Sequence, residues 1–144
     1  MINKDMIIDR LARLREQIKR QKELRKLSRD EFIHDFKAVG SAERLLQISI
    51  EACLDIGSHL ISRLGQRRPV DYKDVFKIMG EEKILPLEFS QKIIPMAQFR
   101  NRLVHLYWEI SADELYRILQ DDLADLEIFA TLIANYIDRD FQSK

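Results

Sequence analysis

The sequence predicts an all-α protein, an antiparallel bundle of about five helices that forms a single domain over residues 1–144. Apolar residues recur every three to four positions through most of the chain, which is typical of helices with one buried face. Only four Gly and three Pro occur, and a β-protein needs many more tight turns than that. A hydrophobic share of 46% beside a charged share of 33% indicates an apolar core with a well-solvated surface.

Charge and cysteine usage narrow the class of protein. The net charge is zero, so no general basic field indicates a nucleic-acid partner. Residues 1–72 nevertheless carry 15 Lys and Arg against 11 Asp and Glu, and the acidic second half could attract this basic half within the fold. The single cysteine, Cys53, lies in an apolar stretch and is expected to be a buried thiol. Without a signal core or an apolar run of about 18 residues, we expect a cytoplasmic protein with no membrane segment.

The first helix is expected from about Asp5 to Lys26. Its faces outside the apolar stripe are basic, with nine Lys and Arg and two Glu from Arg10 to Arg29. This surface is either an ordinary solvated face or a basic edge that attracts phosphate, and the sequence leaves both interpretations open. The apolar stripe consists of Ile7, Leu11, Leu14, Ile18 and Leu24.

The second helix is expected to run from a capping box at Ser28–Glu31 to about Leu64. Gly40 and Gly57 fall inside it, where they can bend the helix or permit close packing, and Gly65 ends it. Its predicted apolar face consists of Phe32, Phe36, Val39, Leu45, Leu46, Ile48, Ala52, Cys53, Ile56, Leu60 and Leu64.

Three further helices complete the predicted bundle. A short helix begins after Asp71 and ends just before Gly80, and the next opens at Pro86. Pro95 predicts a kink or short break around Ile94, since proline lacks a backbone donor. The last helix follows a second capping box, Ser111–Glu114, and continues to about Phe141. The side chains expected to face inward from these last two helices are Phe89, Ile93, Met96, Phe99, Leu115, Ile118, Leu119, Leu123, Leu126, Phe129, Ile133 and Ile137.

The ten residues FRNRLVHLYW, from position 99 to 108, concentrate polar and aromatic side chains in the last two turns of the fourth helix. An ideal helix advances about 100° per residue, so Arg100 shares a face with Tyr107, and Asn101 shares one with His105 and Trp108. Arg100 and His105 then lie about 140° apart and do not touch in a regular helix. Either the helix is distorted there, or a second copy of the chain completes a site.

An arginine and a histidine are sufficient for metal-independent cleavage of RNA. His105 could take the proton from a ribose 2′-OH or return one to the leaving 5′-oxygen. Arg100 could hold the phosphate with its planar fork and offset the developing charge. The spacing alone is common by chance, so a solvated polar helix end remains an alternative.

The segment FRNRLVHLYW resembles the R-x4-H-x-Y signature of the HepT toxins of the HEPN superfamily. Arg100, His105 and Tyr107 occupy the three marked positions, and Asn101 is the usual residue after the arginine. The stretch AERLLQISIEACLDIGSHLI, from position 42 to 61, is similar to the family's long second helix. The resemblance covers the chain from about Arg44 to Leu126.

The resemblance implies an all-helical dimer that acts as a ribonuclease toxin. Arg100 and His105 would be catalytic, Asn101 would support them, and no metal or other cofactor would be needed. The neutralising partner would be a small nucleotidyltransferase of the MNT type, which adds AMP to Tyr107. AMP there would place a bulky negative group beside the cationic pair and repel RNA phosphate.

Other residues and other functions carry less weight. Asp55 and His59 lie four apart and could form a hydrogen bond in a structural or dimer-facing role. The remaining tyrosines, Tyr72, Tyr116 and Tyr136, are expected to be packing residues. A non-catalytic helical adaptor that presents a substrate to a nucleotidyltransferase is the main alternative function. A plain structural bundle would leave the motif unexplained.

Overall fold

Seven α-helices and one 3₁₀ turn build the protein within residues 2–65 and 67–142, the part of the chain that this computed structural model describes. Side chains are described as far as Arg139. No strand occurs in those ranges, so the all-α prediction is confirmed. None of the helices there is long and apolar enough to cross a bilayer. In chain order the elements are α1 Lys4–Arg25, α2 Arg29–Ile33, α3 Phe36–Leu64, α4 Tyr72–Glu81, α5 Leu87–His105, the 3₁₀ turn Tyr107–Glu109, α6 Ala112–Asp121 and α7 Leu123–Gln142.

Two of the five predicted helices are divided, which accounts for the larger number. The predicted helix from Ser28 to Leu64 breaks at His34 and Asp35. The Asp35 carboxylate accepts hydrogen bonds from the N–H groups of Lys37 and Ala38, and so begins a new helix. The predicted last helix is interrupted at Asp122, between α6 and α7.

The predicted helix caps are confirmed at three positions and incomplete at a fourth. The capping box of Ser28 and Glu31 is present in both directions. Asp71 caps α4, and Gly65 ends α3 with a left-handed φ of 69°. At Ser111 only half of the second capping box forms, because the carboxylate of Glu114 binds the guanidinium of Arg102 instead.

Helices α4 and α5 show two further differences from the sequence prediction. Gly80 lies inside α4 and not beyond its end. Glycine is needed at this position because a Cβ there would meet Ser90 Oγ at 2.5 Å. The hydroxyl of Ser90 donates to the backbone oxygen of Phe76 at 2.6 Å, which ties the two helices together. Helix α5 continues without a break through Pro95, so the expected interruption is absent.

The core forms around α3, which packs against α1, α4 and α5, while α7 packs against α1. Phe76 and Phe129 meet edge to face with ring centroids 6.1 Å apart. Two residues assigned to the buried face of the second helix are exposed, Phe36 by 81% and Leu64 by 38%, because they stand at the two ends of α3. The largest fully buried side chains are Phe32, Phe76, Phe129, Ile7, Leu14, Ile50, Ile56, Leu60, Ile61, Ile78, Met79 and Ile84.

Candidate active site

The motif lies where α5 ends and not in a continuous helix. The backbone N–H of Leu106 still donates to the oxygen of Arg102 at 2.8 Å, but Leu106 has a φ of −137° and leaves the helix. Tyr107 and Trp108 belong to the following 3₁₀ turn. The expectation that these two residues continue the faces of Arg100 and His105 is therefore wrong.

Arg100 is held by three groups from three helices. Its Nε lies 3.4 Å from Oε1 of Glu51 in α3, and its Nη1 donates to Oδ1 of Asn101 at 3.2 Å. Its guanidinium carbon stands 4.7 Å above the ring of Tyr72 at the start of α4. Only 15% of the arginine side chain is exposed. An arginine fixed in this way is preorganised, so little side-chain entropy is lost when it binds an anion.

His105 lies in an open cleft of about 500 Å³ between α5 and the start of α4. Its own side chain is exposed, and it shares the cleft with Asn101, one turn earlier on the same face. The cleft is lined by Ser58, Pro69, Val70, Asp71, Tyr72, Val75, Asn101 and His105. A single-stranded segment with its bases turned outward could enter such a surface cleft.

Tyr72 and Asn101 connect Arg100 to this cleft. Both residues line the cleft, and both contact the guanidinium of Arg100. The angle of about 140° between Arg100 and His105 on an ideal helix is thus bridged by neighbouring side chains, and α5 remains a regular helix as far as His105. No hydrogen bond joins Arg100 to His105 among the described residues.

The wall of the cleft opposite α5 is fixed by an ion-pair network that we call the Arg67 clamp, made of Arg67, Asp74 and Glu81. Arg67 donates to both oxygens of Asp74 at 2.6 and 2.7 Å and to Glu81 at 3.1 and 3.2 Å. Asp74 also accepts from the backbone N–H of Val70 at 3.0 Å. The hydrogen bonds from Arg67 hold the pKa of the Asp74 carboxyl below its usual range. The clamp thereby sets the path of the loop that carries Pro69 and Val70.

Beside the cleft, the 3₁₀ turn presents two aromatic rings to solvent. Tyr107 is 57% exposed and Trp108 is 67% exposed. Their ring centroids are 5.5 Å apart at an angle of 78°. Both rings are therefore accessible to solvent, and the pair offers an apolar surface next to His105.

The other candidate residues, Cys53 and His59, lie in surroundings that fit a structural role. Cys53 is buried, and desolvation raises the pKa of its thiol far above the usual range. His59 accepts a hydrogen bond from the backbone N–H of Asn3 at 3.1 Å, and burial with nearby Arg63 lowers its pKa. No hydrogen bond to Asp55 occurs among the described residues. In the same ranges, no group of three or more His, Cys, Asp and Glu side chains could hold a metal ion.

Sequence reasoning missed two residues of the site, Glu51 and Tyr72. The sequence predicts ordinary packing for Tyr72, because an aromatic residue after a helix cap carries no signal of a distant arginine. Glu51 stands among apolar residues in the stretch ISIEACLDI. An acid in such surroundings needs a nearby cation, and this was the available signal.

The fold and the cleft define a helical protein with a preorganised arginine and an accessible histidine, and comparison with known proteins agrees. The family described as Ribonuclease HepT-like matches residues 14–133. The tRNA nuclease HepT of Aphanizomenon flos-aquae is 28% identical over 116 residues, which are 81% of this chain and 79% of that protein. The mRNA nuclease HepT of Shewanella oneidensis is 29% identical over 129 residues, covering 90% and 96%.

A solved structure extends the agreement to three dimensions. The tri-AMPylated Shewanella oneidensis HEPN toxin in complex with MNT antitoxin superimposes with a TM-score of 0.83 at 28% identity, over 91% of this chain and 98% of that one. The chain belongs to the ribonuclease HepT-like family. The resemblance to HepT proteins and the expected class of enzyme, an endoribonuclease, are thereby confirmed.

Proposed function

We propose that this chain is the ribonuclease toxin of a toxin–antitoxin pair and that it cleaves RNA without a metal ion at the cleft of Arg100 and His105. The observation that carries the proposal is the geometry of Arg100, whose guanidinium is fixed by Glu51 and Tyr72 beside a cleft that contains His105. This arrangement offers a phosphate clamp and a proton-transfer group side by side.

In the proposed reaction, the 2′-oxygen of a ribose attacks the adjacent phosphorus, and the bond from phosphorus to the 5′-oxygen breaks. A histidine removes the proton from the 2′-OH, and a protonated histidine supplies one to the leaving oxygen. Arg100 offsets the charge that develops on the phosphate oxygens. The products are a 2′,3′-cyclic phosphate and a 5′-hydroxyl end. Asn101 supports the site by accepting from Arg100 at 3.2 Å.

A homodimer would supply the second histidine. Each chain carries one His105, whereas the reaction uses one proton acceptor and one donor. The side chains of Leu106 and Trp108, which follow His105 in the chain, are exposed, and exposed apolar side chains that lie together are typical of an interface. We therefore place the two Arg100 and His105 pairs in one shared cleft.

The proposed antitoxin is a nucleotidyltransferase of the MNT type that transfers AMP to Tyr107. The similar Shewanella oneidensis toxin is AMPylated and in complex with MNT antitoxin, which supports this partner. The two similar HepT proteins are named as nucleases of tRNA and of mRNA respectively. We therefore assign the substrate class as RNA and no narrower.

Purified, unmodified protein tests the proposal directly. We expect it to cut RNA in the presence of EDTA and to leave 2′,3′-cyclic phosphate ends or their hydrolysed form. Cleavage that stops in EDTA would contradict the mechanism of Arg100 and His105. If no RNA is cut but the protein still binds a nucleotidyltransferase, the adaptor function is the better explanation.

A further inference from the structure

Within the described residues, neither a close neighbour nor a positive φ requires glycine at position 40. Glycine inside a helix costs about 1 kcal/mol relative to alanine, so its presence there needs a cause. At Gly57 and Gly80 a Cβ would lie 2.7 Å from Met79 Sδ and 2.5 Å from Ser90 Oγ, and Gly65 has a φ of 69°. A Cβ on Gly40 would meet nothing within 4 Å, and its φ is not positive.

Gly40 forms the floor of a groove between α1 and α3, with a volume of about 540 Å³. The groove offers two guanidinium groups, one hydroxyl and a stretch of backbone without a side chain. Arg44 makes no ion pair within the described residues, and Arg20 has only an exposed contact with Glu16 at 3.5 Å. We call this the Gly40 groove, and it is lined by Arg20, Leu24, Gly40, Ser41, Arg44 and Leu45.

The Gly40 groove lies on the same face of α3 as Glu51. Arg44 and Glu51 are seven residues apart, so they point in nearly the same direction with a rise of about 10 Å between them. Glu51 is the residue that contacts Arg100. A nucleic-acid strand whose phosphate is bound at Arg100 would therefore reach Arg44 within a few nucleotides.

We propose that the Gly40 groove binds a backbone phosphate of the RNA substrate, a few nucleotides away from the phosphate that is cleaved. This proposal rests on the proposed ribonuclease function. Arg44 and Arg20 supply the charge, and the missing side chain of Gly40 lets the sugar–phosphate chain approach the helix closely. Such a contact positions the strand without reading its sequence.

A second copy of this chain fits the groove less well. In a two-fold contact the same patch lies on both subunits. A contact centred on Gly40 would thus bring both Arg44 side chains together, and their like charges would repel each other at the interface. RNA instead carries negative phosphates that can pair with both arginines.

Gly40→Leu is the sharpest test. Leucine forms helices better than glycine and the space around Gly40 is open, so we expect a higher melting temperature. At the same time the side chain should fill the groove and raise KM for RNA several-fold without changing kcat, because the contact is uniform binding away from the reaction. If Gly40→Leu cleaves RNA with an unchanged KM, the proposed phosphate contact in the groove is wrong. If the wild type itself cleaves no RNA, the proposed ribonuclease function is wrong.

Arg44→Ala provides the charge test, with Arg139→Ala as the matched control, because Arg139 lines a different groove beside Lys83. We expect Arg44→Ala to weaken RNA binding and to lower the slope of log affinity against log salt by about 0.7, the value for one contact to a single strand. If Arg139→Ala weakens RNA binding equally, the effect comes from the overall charge of the protein, and the proposal is wrong. A change of oligomeric state in Gly40→Leu by light scattering would assign the groove to a subunit interface instead.

Discussion

Arg100 and His105 are the two residues at which single substitutions should have the largest effect on catalysis. We expect His105→Ala to slow RNA cleavage by about 10²–10⁴-fold, through loss of proton transfer. Arg100→Ala should slow it by about 10²–10³-fold, by analogy with the loss of one oxyanion donor. Arg100→Lys should restore little, since a point charge does not replace the planar fork. Cleavage rates and circular dichroism measure both effects, with exposed His34→Ala as control. Rates within a few-fold of wild type would remove either residue from the mechanism.

Tyr72 should support catalysis by holding the guanidinium of Arg100 in place, in addition to any contact with the substrate. Replacing Tyr72 by Leu removes the ring beneath the guanidinium, an interaction worth about 0.5–2 kcal/mol, so kcat should fall about 2- to 30-fold. Tyr72→Phe keeps the ring and should retain most of the activity. If Phe and Leu at this position behave alike in kcat, the stacking on Arg100 has no catalytic role.

Among the tyrosines, Tyr107 is best placed for transfer of AMP. Its side chain is 57% exposed, whereas the hydroxyl of Tyr116 donates to the backbone oxygen of Leu27 at 2.8 Å and Tyr72 contacts Arg100. Mass spectrometry after incubation with the partner enzyme and ATP should therefore find the modification on Tyr107. The added negative charge beside His105 should abolish cleavage. Modification mapped to Tyr72, Tyr116 or Tyr136 would refute the assignment.

At the scale of elements, the Arg67 clamp should link stability to acid pH. Asp74→Ala leaves the backbone N–H of Val70 without its acceptor, and we expect a loss of about 1–3 kcal/mol in the free energy of unfolding at neutral pH. The folded-state pKa of Asp74 lies below the ordinary value of 3.8. Its contribution is therefore present above that value and is lost as pH falls through the folded-state pKa.

Urea unfolding at several pH values measures this dependence. The difference between wild type and Asp74→Ala should shrink as the pH is lowered below the ordinary pKa. Arg67→Ala should also loosen the loop of Pro69 and Val70 and raise KM. The neighbouring Arg68→Ala is the matched control, since Arg68 makes no ion pair within the described residues. A difference that stays constant at all pH values would contradict the role of the Asp74 charge.

Local signals in the sequence predicted helices, caps and most of the core, because these depend on residues close together in the chain. The break at Asp35 was missed since the apolar pattern continues across it, and only the bonds of its carboxylate to Lys37 and Ala38 reveal a new start. Gly80 was misplaced because its reason is the close approach of Ser90 on another helix. The partners of Arg100 were missed for the same cause, as Glu51 and Tyr72 come from α3 and α4.

At the scale of the whole molecule, the uneven charge along the chain is partly used inside the fold. Lys22 pairs with Glu127 at 2.8 Å and Arg29 with Asp113 at 2.5 Å, so basic residues of the first half meet acids of the second. These pairs are exposed and each contributes little to stability. The two pairs leave fewer unpaired cations in the basic segment from Arg10 to Arg29, whereas Arg44 in α3 makes no ion pair within the described residues.

The homodimer is the prediction that concerns the complete assembly. Light scattering should give twice the 17.1 kDa of one chain, because one chain offers one His105 and exposes an apolar cluster beside it. If the two pairs share one cleft and both histidines are needed, equal mixing of wild-type with His105→Ala chains should lower the rate by more than simple dilution does. Only dimers of two wild-type chains keep both histidines, and random mixing leaves about a quarter of the dimers in that form, so about a quarter of the wild-type rate should remain. A monomeric mass, or a rate that falls only to about half in dimers shown to be mixed, would mean that each chain forms its site alone.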